Sequence, residues 1–260
     1  MTVSIIGIGF VGTAMLETFN KKRNIIVYDK YKKIGSLEDA INCDIIFLAL
    51  PTPFCNNSGY NLSAIHEILS ELAGNDKLII LKSTVLPGTC DELANIYNIK
   101  LLHNPEFLTA RTANNDFANT NHIVIGTTSN IEPNDIIMIK DFYSEYFPTA
   151  KWNITVSSET ELMKLACNSF YAIKVQFFTE LYLLSNKLDC SYNHIRDMML
   201  ENNWIKPQHT IIPGPDGQIS YGGLCFPKDT NALNGFMKLI DIPNGVLDAT
   251  IKERNTLRND

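Results

Sequence analysis

One segment of the chain carries more reactive side chains than a protein core requires. It contains Cys225 after two glycines, with Lys228 and Asp229 close behind. Glycines let a backbone approach a ligand closely, while Lys228 and a helix that we predict to begin near Pro227 favour a thiolate over a thiol. A thiolate is a strong nucleophile, so the pattern indicates covalent catalysis. An inert, buried Cys225 is the alternative, because cysteine often packs as a small apolar residue.

Further polar side chains follow the predicted strands. Pro51 and Thr52 follow one strand, and Thr84 follows the next. The carboxyl ends of strands in a doubly wound sheet line the ligand crevice, so these residues are expected near a cofactor or substrate. Glu106 follows Pro105, which cannot continue a central strand, and is expected at the same edge. The alternatives are that the threonines cap helices or turns and that Glu106 is solvated.

Two polar residues lie four positions apart in a stretch with helical spacing. Lys164 and Asn168 therefore share one helix face, and Asn168 lies among apolar neighbours. A buried amide without a partner costs about 1–3 kcal/mol, so Asn168 is expected to bind a polar group. An exposed lysine beside an asparagine that packs on a loop is the alternative.

The first predicted strand leads into a glycine-rich turn that precedes a helix. The turn consists of Gly7, Ile8, Gly9, Phe10, Val11 and Gly12. This GxGxxG pattern places the pyrophosphate of a dinucleotide at a helix N-terminus. Asp29 ends the second strand at the interval expected for an acid that binds the ribose diol. Its charge favours NAD over NADP, and Lys30 would weaken that preference; a glycine-rich turn beside a surface aspartate is the alternative.

These residues are carried by alternating strands and helices in the first half of the chain. Short runs rich in Ile, Val and Leu predict strands at 4–8, 25–28, 44–50, 77–82, 100–103 and 122–126. Helical spacing is present at 10–22, 62–73, 88–97 and 133–147. The alternation predicts an α/β fold, with a doubly wound, Rossmann-like parallel sheet. We assign residues 1–156 to this NAD-binding domain.

The second half of the chain is predicted to be helical. A single helix is expected from 158 to about 188, with Ser158 and Glu161 forming a capping box at its start. At about 45 Å it is long enough to join domains or to build a homodimer interface. Helices at 229–239 and 244–258 follow a loop rich in Pro and Gly. Residues 157–260 are therefore expected to form a long connecting helix and a small helical domain that carries Cys225.

Composition excludes several classes of protein. The 260 residues carry a net charge of -6, without the basic cluster that nucleic-acid binding requires. No apolar run reaches the ~20 residues of a membrane helix, and the N-terminus lacks the features of a signal peptide. The six cysteines include no CxxC pair, so we expect no metal site. A cytoplasmic protein with no membrane or nucleic-acid partner is predicted.

Seven segments occur together in one order along the chain. They are GIGFVG, the strand end at Asp29, LPTP, KSTVLPGT, NPEFL, ELMKLACNSF and GGLCFPKD. In these segments the chain resembles the UDP-glucose/GDP-mannose dehydrogenase family, and its UDP-glucose 6-dehydrogenase branch most of all. The resemblance covers nearly the whole chain.

The resemblance implies an NAD-dependent, four-electron oxidation of a sugar 6-hydroxyl to a carboxylate, with UDP-glucose as the favoured nucleotide-sugar substrate. Cys225 matches the covalent nucleophile, which captures the aldehyde as a thiohemiacetal and then becomes a thioester. Lys164 matches the cation that stabilises the oxyanion, and Asn168 matches its hydrogen-bonding partner. The expected role of the product is in polysaccharide biosynthesis.

Further roles follow from the same resemblance. Asp229 and Thr84 match groups that position a water, and Glu106 matches the base for hydrolysis. The expected cofactor contacts are Gly7, Gly9, Phe10, Val11, Gly12, Asp29, Lys30, Pro51, Thr52, Thr84 and Lys228. The expected substrate contacts are Glu106, Phe107, Leu108, Lys164, Asn168, Tyr221, Gly222, Gly223 and Cys225.

Two of the chain's departures from the family bear most on its function. Ala110 stands where the family usually has a second glutamate. Family members usually continue into a second Rossmann-like domain that closes over the nucleotide, so we expect a short form without this C-terminal domain, a truncated chain, or one completed by a second chain. The same chemistry on GDP-mannose or a UDP-hexosamine, and a non-catalytic protein that binds NAD or a nucleotide sugar, remain alternatives.

Overall fold

A seven-stranded sheet organises the first half of the protein in this computed structural model, which describes residues 1–56 and 58–260. The described strands are β1 (Val3–Ile6), β2 (Ile26–Tyr28), β3 (Ile45–Leu48), β4 (Phe54–Cys55), β5 (Gly59–Tyr60), β6 (Leu78–Leu81), β7 (Lys100–His103), β8 (His122–Thr127) and β9 (Lys151–Val156). The described helices are α1 (Phe10–Phe19), α2 (Leu37–Ile41), α3 (Ser63–Glu71), α4 (Thr89–Tyr97), α5 (Ala113–Ala118), α6 (Pro133–Ser144), α7 (Ser157–Lys187), α8 (Tyr192–Glu201), α9 (Phe226–Leu239) and α10 (Gly245–Leu257).

The strand order of the large sheet is β2-β1-β3-β6-β7-β8-β9. Strand β1 lies between β2 and β3, so the chain extends the sheet first on one side of β1 and then on the other. This reversal confirms the predicted doubly wound fold and places a ligand crevice at the carboxyl ends of the strands. Strands β1, β3 and β6 are buried along their whole length. Continuous apolar runs of this kind are typical of strands covered on both faces.

The predicted parallel sheet is interrupted at one pair of strands. Strand β8 runs antiparallel to β7, and β9 then pairs in parallel with β8. A parallel connection must carry the chain back along the full strand. The connection from β7 to β8, which contains α5, instead re-enters the sheet at the edge where β7 ends, so the chain does not cross back.

Apolar side chains cover both faces of the sheet. On one face the ring of Phe19 in α1 lies 5.5 Å from Phe47 in β3 and 4.8 Å from Phe142 in α6. On the other face Ile46 of β3 belongs to a cluster that includes Ile65 of α3. This packing fixes the strand ends that carry the predicted site residues.

The described chain divides into two compact units. The first comprises Met1–Pro53 and Tyr60–Lys164, and the second comprises Phe54–Gly59 and Leu165–Asp260. The second unit is mainly helical, with α9 packed on α10 and a small core around Phe178, Tyr192 and Ile212. The predicted long helix is present as α7, whose 31 residues belong partly to each unit.

The predicted capping box at the start of α7 is wrong. The Glu161 carboxylate instead accepts hydrogen bonds from the backbone N–H groups of Gly88, at 2.6 Å, and Cys90, at 2.7 Å. It therefore caps the start of α4, within the first unit, rather than its own helix. A tertiary partner has replaced the local one that the Ser-x-x-Glu spacing suggested.

Candidate active site

The glycine-rich turn has the geometry that a dinucleotide requires. Gly7 has φ +93°, and a Cβ on it would lie 2.5 Å from the carbonyl oxygen of Ala49. A Cβ on Gly12 would overlap the carbonyl oxygen of Gly7. Helix α1 begins at Phe10 directly after Gly9, so its first N–H groups, including that of Val11, face the end of the turn. The turn therefore fits the pyrophosphate of NAD.

Asp29 lies beside this turn and is tied to it. One carboxylate oxygen accepts the N–H of Ile8 at 2.8 Å, and the other accepts the N–H of Lys32 at 2.9 Å. Burial raises the pKa of Asp29, but hydrogen bonds from the backbone of Lys32, Ile8 and Tyr31 together lower it by more. The pKa of Asp29 therefore lies below its ordinary value. The carboxylate is thus ionised and oriented, as recognition of a ribose diol requires.

A small cavity next to Asp29 has apolar walls. Its lining includes Tyr28, Tyr31, Pro51 and Ile68, side chains that suit a flat base. Lys30 also lines the cavity, but its ammonium pairs with Glu67, whose carboxylate oxygen lies 2.6 Å away. This ion pair engages the charge that would otherwise attract a 2′-phosphate.

The two predicted threonines are brought together at the carboxyl edge of the sheet. Thr52 is buried, and its hydroxyl donates a 2.8 Å hydrogen bond to the carbonyl oxygen of Thr84. The neighbouring Ser83 hydroxyl donates to the carbonyl oxygen of Leu50 at 2.7 Å. Thr52 therefore ties the loops after β3 and β6 together, while Thr84 is half-buried.

Glu106 and Lys164 form a buried ion pair in the first unit. The Lys164 ammonium donates to the Glu106 carbonyl oxygen at 2.6 Å and lies 3.2 Å from its carboxylate. Only 10% of the Glu106 side chain and 6% of the Lys164 side chain are exposed. The second carboxylate oxygen accepts the N–H of Leu108 at 2.5 Å, and the Lys164 ammonium lies 5.5 Å from the centre of the Phe107 ring. The alternative of a solvated Glu106 is wrong.

Cys225 occupies the N-cap position of α9 in the second unit. Asp229, one turn later and 1% exposed, donates its backbone N–H to the Cys225 carbonyl oxygen at 2.9 Å. The Asp229 carboxylate accepts the side-chain amide of Asn168 at 2.6 Å and lies 2.5 Å from the Lys228 ammonium. The expected polar partner of Asn168 is thus Asp229, and the predicted cofactor contact Lys228 forms an ion pair with the same carboxylate.

The segment before Cys225 is anchored by two arginines of the last helix and its end. Arg254 donates to the carbonyl oxygen of Tyr221 at 3.2 Å. The guanidinium of Arg258 occupies the space that a Cβ on Gly222 would need. Gly223 has φ +81°, which favours glycine. The predicted sugar-binding loop therefore has a fixed backbone whose two glycines cannot readily be replaced.

Sequence reasoning missed several residues that support the site. Lys82, Asn104 and Tyr143 form a buried hydrogen-bonded group beneath Glu106. Lys82 and Asn104 belong to the KSTVLPGT and NPEFL segments, and a lysine directly after a wholly apolar strand was the available signal. Arg254 and Arg258 carried no such signal, because the carbonyl oxygens of Tyr221 and Ser220 that they bind lie more than thirty residues away.

Two other classes of site were sought among residues 1–56 and 58–260. No group of three or more His, Cys, Asp and Glu side chains there is arranged to hold a metal ion. None of the helices in this described part has the length and apolar character needed to cross a membrane.

Comparison with known protein families finds one family twice. Residues 30–146 match the NAD binding domain of the UDP-glucose/GDP-mannose dehydrogenase family, and residues 158–256 match its central domain. Together the two matches cover most of the chain.

Individual relatives agree with this result. The UDP-glucose 6-dehydrogenase of Rickettsia bellii is 31% identical over 238 residues, which are 86% of this chain and 52% of that protein. The corresponding protein YwqF of Bacillus subtilis is 30% identical over 223 residues, which are 82% of this chain and 48% of that protein. The chain thus spans about half the length of these curated relatives. A UDP-glucose dehydrogenase structure from Pyrobaculum islandicum shares the fold, with TM-score 0.85 and 22% identity over 98% of this chain and 68% of that chain.

Proposed function

Because the chain belongs to the UDP-glucose/GDP-mannose dehydrogenase family and carries its NAD-binding domain, we propose that it oxidises the sugar 6-hydroxyl of UDP-glucose to the carboxylate of UDP-glucuronate. The balanced reaction consumes one alcohol, two NAD⁺ and one water, and yields one carboxylate, two NADH and three protons. The observation that carries the proposal is the placement of Cys225 one helical turn before Asp229, whose buried carboxylate is held by Asn168.

The cysteine accounts for the transfer of four electrons at one carbon. Loss of a hydride and of the hydroxyl proton turns the alcohol into an aldehyde, and the Cys225 thiol then adds its sulfur to the carbonyl carbon and its proton to the oxygen to give a thiohemiacetal. Loss of a second hydride and of the thiohemiacetal hydroxyl proton leaves a thioester, which water cleaves to the thiol and a carboxylate with release of the third proton. Bound NAD supplies the hydride acceptor in both oxidations. Covalent capture keeps the reactive aldehyde in the site between them.

The polar residues of each unit have separate tasks in this scheme. In the second unit, Asn168 orients the Asp229 carboxylate, so that it positions a water or accepts a proton; the first turn of α9 favours nearby negative charge. In the first unit, Lys164 holds Glu106 through both its carbonyl oxygen and its carboxylate. We assign Lys164 to oxyanion stabilisation and Glu106 to general-base catalysis of thioester hydrolysis.

The same proposal includes a homodimer formed through α7. Phe170, Phe177 and Leu184 of this helix are each more than half exposed in the single chain. A row of large exposed apolar side chains usually marks an interaction surface. Light scattering should return twice the chain mass of 29.2 kDa, and a value equal to the chain mass would contradict the dimer.

A reactive thiol also bears on where the protein acts. Structural and catalytic thiols stay reduced in the cytosol, whereas secreted proteins form disulfides. We therefore propose a cytoplasmic location. From the proposed product, a nucleotide-linked sugar acid, we propose a role in polysaccharide biosynthesis.

Counting NADH for each sugar consumed tests the reaction directly. The protein is incubated with NAD and, in separate reactions, UDP-glucose, GDP-mannose and UDP-hexosamines. Two NADH for each UDP-glucose support the proposal. Two NADH for each molecule of another nucleotide sugar, and none for UDP-glucose, would identify that sugar as the substrate instead. No turnover with any of these sugars would refute the proposed enzymatic activity and favour a binding protein.

The role of Cys225 is tested with a matched pair of variants. Cys225→Ser should lose the complete oxidation, while Cys190→Ser, a change at an exposed cysteine, should retain it. Mass spectrometry of Glu106→Gln with substrate should reveal a sugar adduct on Cys225, because hydrolysis is the step that this variant slows. Full activity of Cys225→Ser would show that the covalent scheme is wrong.

A further inference from the structure

A buried lysine supports the segment that carries Glu106. Lys82 directly follows β6, and only 5% of its surface is exposed. Its ammonium donates a 2.6 Å hydrogen bond to the side-chain carbonyl oxygen of Asn104. The hydroxyl of Tyr143, from α6, donates to the same oxygen at 2.6 Å, and the Asn104 amide donates to the carbonyl oxygen of Val124 at 2.7 Å. Asn104 is therefore held by three different elements.

Asn104 lies two residues before Glu106, so fixing Asn104 also restricts where the backbone of Glu106 can lie. Its backbone N–H donates to the carbonyl oxygen of Leu81 at 2.8 Å, and Pro105 between them restricts the backbone further. On the far side, Lys164 binds Glu106 itself. Lys82, Asn104, Glu106 and Tyr143 line one cavity of about 250 Å³. Lys82 and Glu106 therefore face the same cavity.

Packing alone does not account for a lysine at this position. A buried ammonium whose direct partner is a neutral amide costs free energy, because the amide replaces water without balancing the charge. An apolar side chain would fill the same volume at the end of β6. A nearby carboxylate would balance the positive charge of Lys82. Glu106 provides this negative charge and thereby raises the pKa of Lys82.

We propose that Lys82 is a positioning residue for Glu106: it locks the Asn104 amide that precedes the base and adds a second positive charge, beside Lys164, to the surroundings of the Glu106 carboxylate. This inference rests on the proposed function, in which Glu106 acts as the base for hydrolysis. It assigns a role to the lysine of KSTVLPGT that is distinct from direct contact with substrate.

The groups around Lys82 define how it titrates. Burial lowers the pKa of Lys82 to about 7, Glu106 raises it and Lys164 lowers it. Burial also lowers the pKa of His103 to about 3 and raises that of Tyr143, so both are neutral near pH 7. Of Lys82, His103 and Tyr143, Lys82 is therefore the one whose charge changes near neutrality. Loss of its proton removes a cation from beside Glu106 and makes the carboxylate a stronger base.

The kinetic test compares two replacements of the lysine with a control. The wild-type kcat should rise through an inflection near pH 7. Lys82→Met removes the charge permanently and Lys82→Arg fixes it, so both should lose the inflection. Unlike a neutral lysine, methionine cannot donate to the Asn104 oxygen. Lys82→Met should therefore also lower kcat about 10- to 100-fold with little change in KM, as expected for a displaced catalytic group. Tyr143→Phe removes the other donor to Asn104 and leaves the ammonium, so it should keep the inflection.

A titration followed by NMR tests the same inference without turnover. With lysine side chains labelled with ¹³C, one signal should titrate near pH 7 and be absent from Lys82→Arg. Glu106→Gln should lower the pKa of that signal, because the neighbouring carboxylate raises it.

The outcomes separate this inference from the proposed function. A wild-type protein that oxidises no sugar refutes the function, while the NMR titration still decides whether Lys82 and Glu106 are coupled. An inflection that persists in both lysine variants belongs to another group and overturns the positioning role. A Lys82 signal that titrates near the ordinary value for lysine, or that ignores Glu106→Gln, overturns it as well, even if Lys82→Met does not fold.

Discussion

Replacing Glu161 by alanine should destabilise the first unit substantially, because this carboxylate caps α4 from α7. Its two oxygens accept the N–H groups of Gly88 at 2.6 Å and Cys90 at 2.7 Å. A hydrogen bond to a charged group contributes about 1.5–3 kcal/mol. Part of that gain is offset because the carboxylate is fully buried. We therefore expect Glu161→Ala to lower the free energy of unfolding by about 2–4 kcal/mol.

The measurement is urea unfolding or calorimetry of the variant beside a matched control. A loss of this size should lower the melting temperature by roughly 5–15 °C in a chain of this length. Glu159→Ala is the control, since Glu159 is an exposed glutamate on the same first turn of α7. A Glu161→Ala protein as stable as Glu159→Ala would refute the capping role.

The pH dependence of this effect has a definite sign. Burial raises the pKa of Glu161 above the ordinary value of 4.5, and hydrogen bonds from Cys90 and Gly88 reverse only part of that change. The folded protein therefore keeps this proton at a pH where the unfolded chain has lost it. The resulting contribution to stability is fully present below the unfolded pKa and is lost as the pH rises through the folded pKa. The advantage of wild type over Glu161→Gln should thus grow between pH 7 and pH 4, and a constant difference would contradict the reasoning.

Two further variants test the two halves of the site. Asp29→Ala removes an ionised carboxylate held by Ile8 and Lys32. The KM for NAD should rise about 10-fold or more, as expected for loss of hydrogen bonds to a charged group. The preference for NAD over NADP should also shrink, as measured by kcat/KM for both cofactors. An unchanged cofactor preference would show that Asp29 does not contact the ribose. Asn168→Ala removes the amide that donates to the buried Asp229 carboxylate and keeps the ion pair of Asp229 with Lys228. The kcat should fall about 10- to 100-fold, the equivalent of about 1.5–3 kcal/mol. An unchanged kcat in a variant that melts like wild type would remove Asn168 from the mechanism.

Local signals were sufficient to predict the elements that carry the cofactor half of the site. The run Ile45–Leu48 is buried along its whole length, so a continuous apolar sequence was enough to identify a central strand. The turn from Gly7 to Gly12 needs glycine for steric reasons that act within a few residues. Asp29 could be placed because it directly follows β2, the strand that comes after the helix opened by this turn.

Non-local partners account for what the sequence did not reveal. Strand β9 (Lys151–Val156) was missed because it lies at the edge of the sheet, and its mainly exposed or half-buried side chains give no apolar run. The antiparallel direction of β8 left no signal in its own residues, because its buried apolar run resembles those of the parallel strands. For Glu161, the local spacing predicted a cap on its own helix, and the N–H groups of α4 prevailed.

The same distinction explains why the residues proposed to react were easier to select from the sequence than those that hold them. Cys225 and Asp229 are one helical turn apart, and Lys164 and Asn168 share a helix face, so each pair was visible as a spacing. Lys82 acts on Glu106 through Asn104, which lies 22 residues away and on another strand end. A residue that works through a neighbour in space leaves no spacing to recognise. It becomes visible only as a buried charge whose environment is more costly than packing alone would allow.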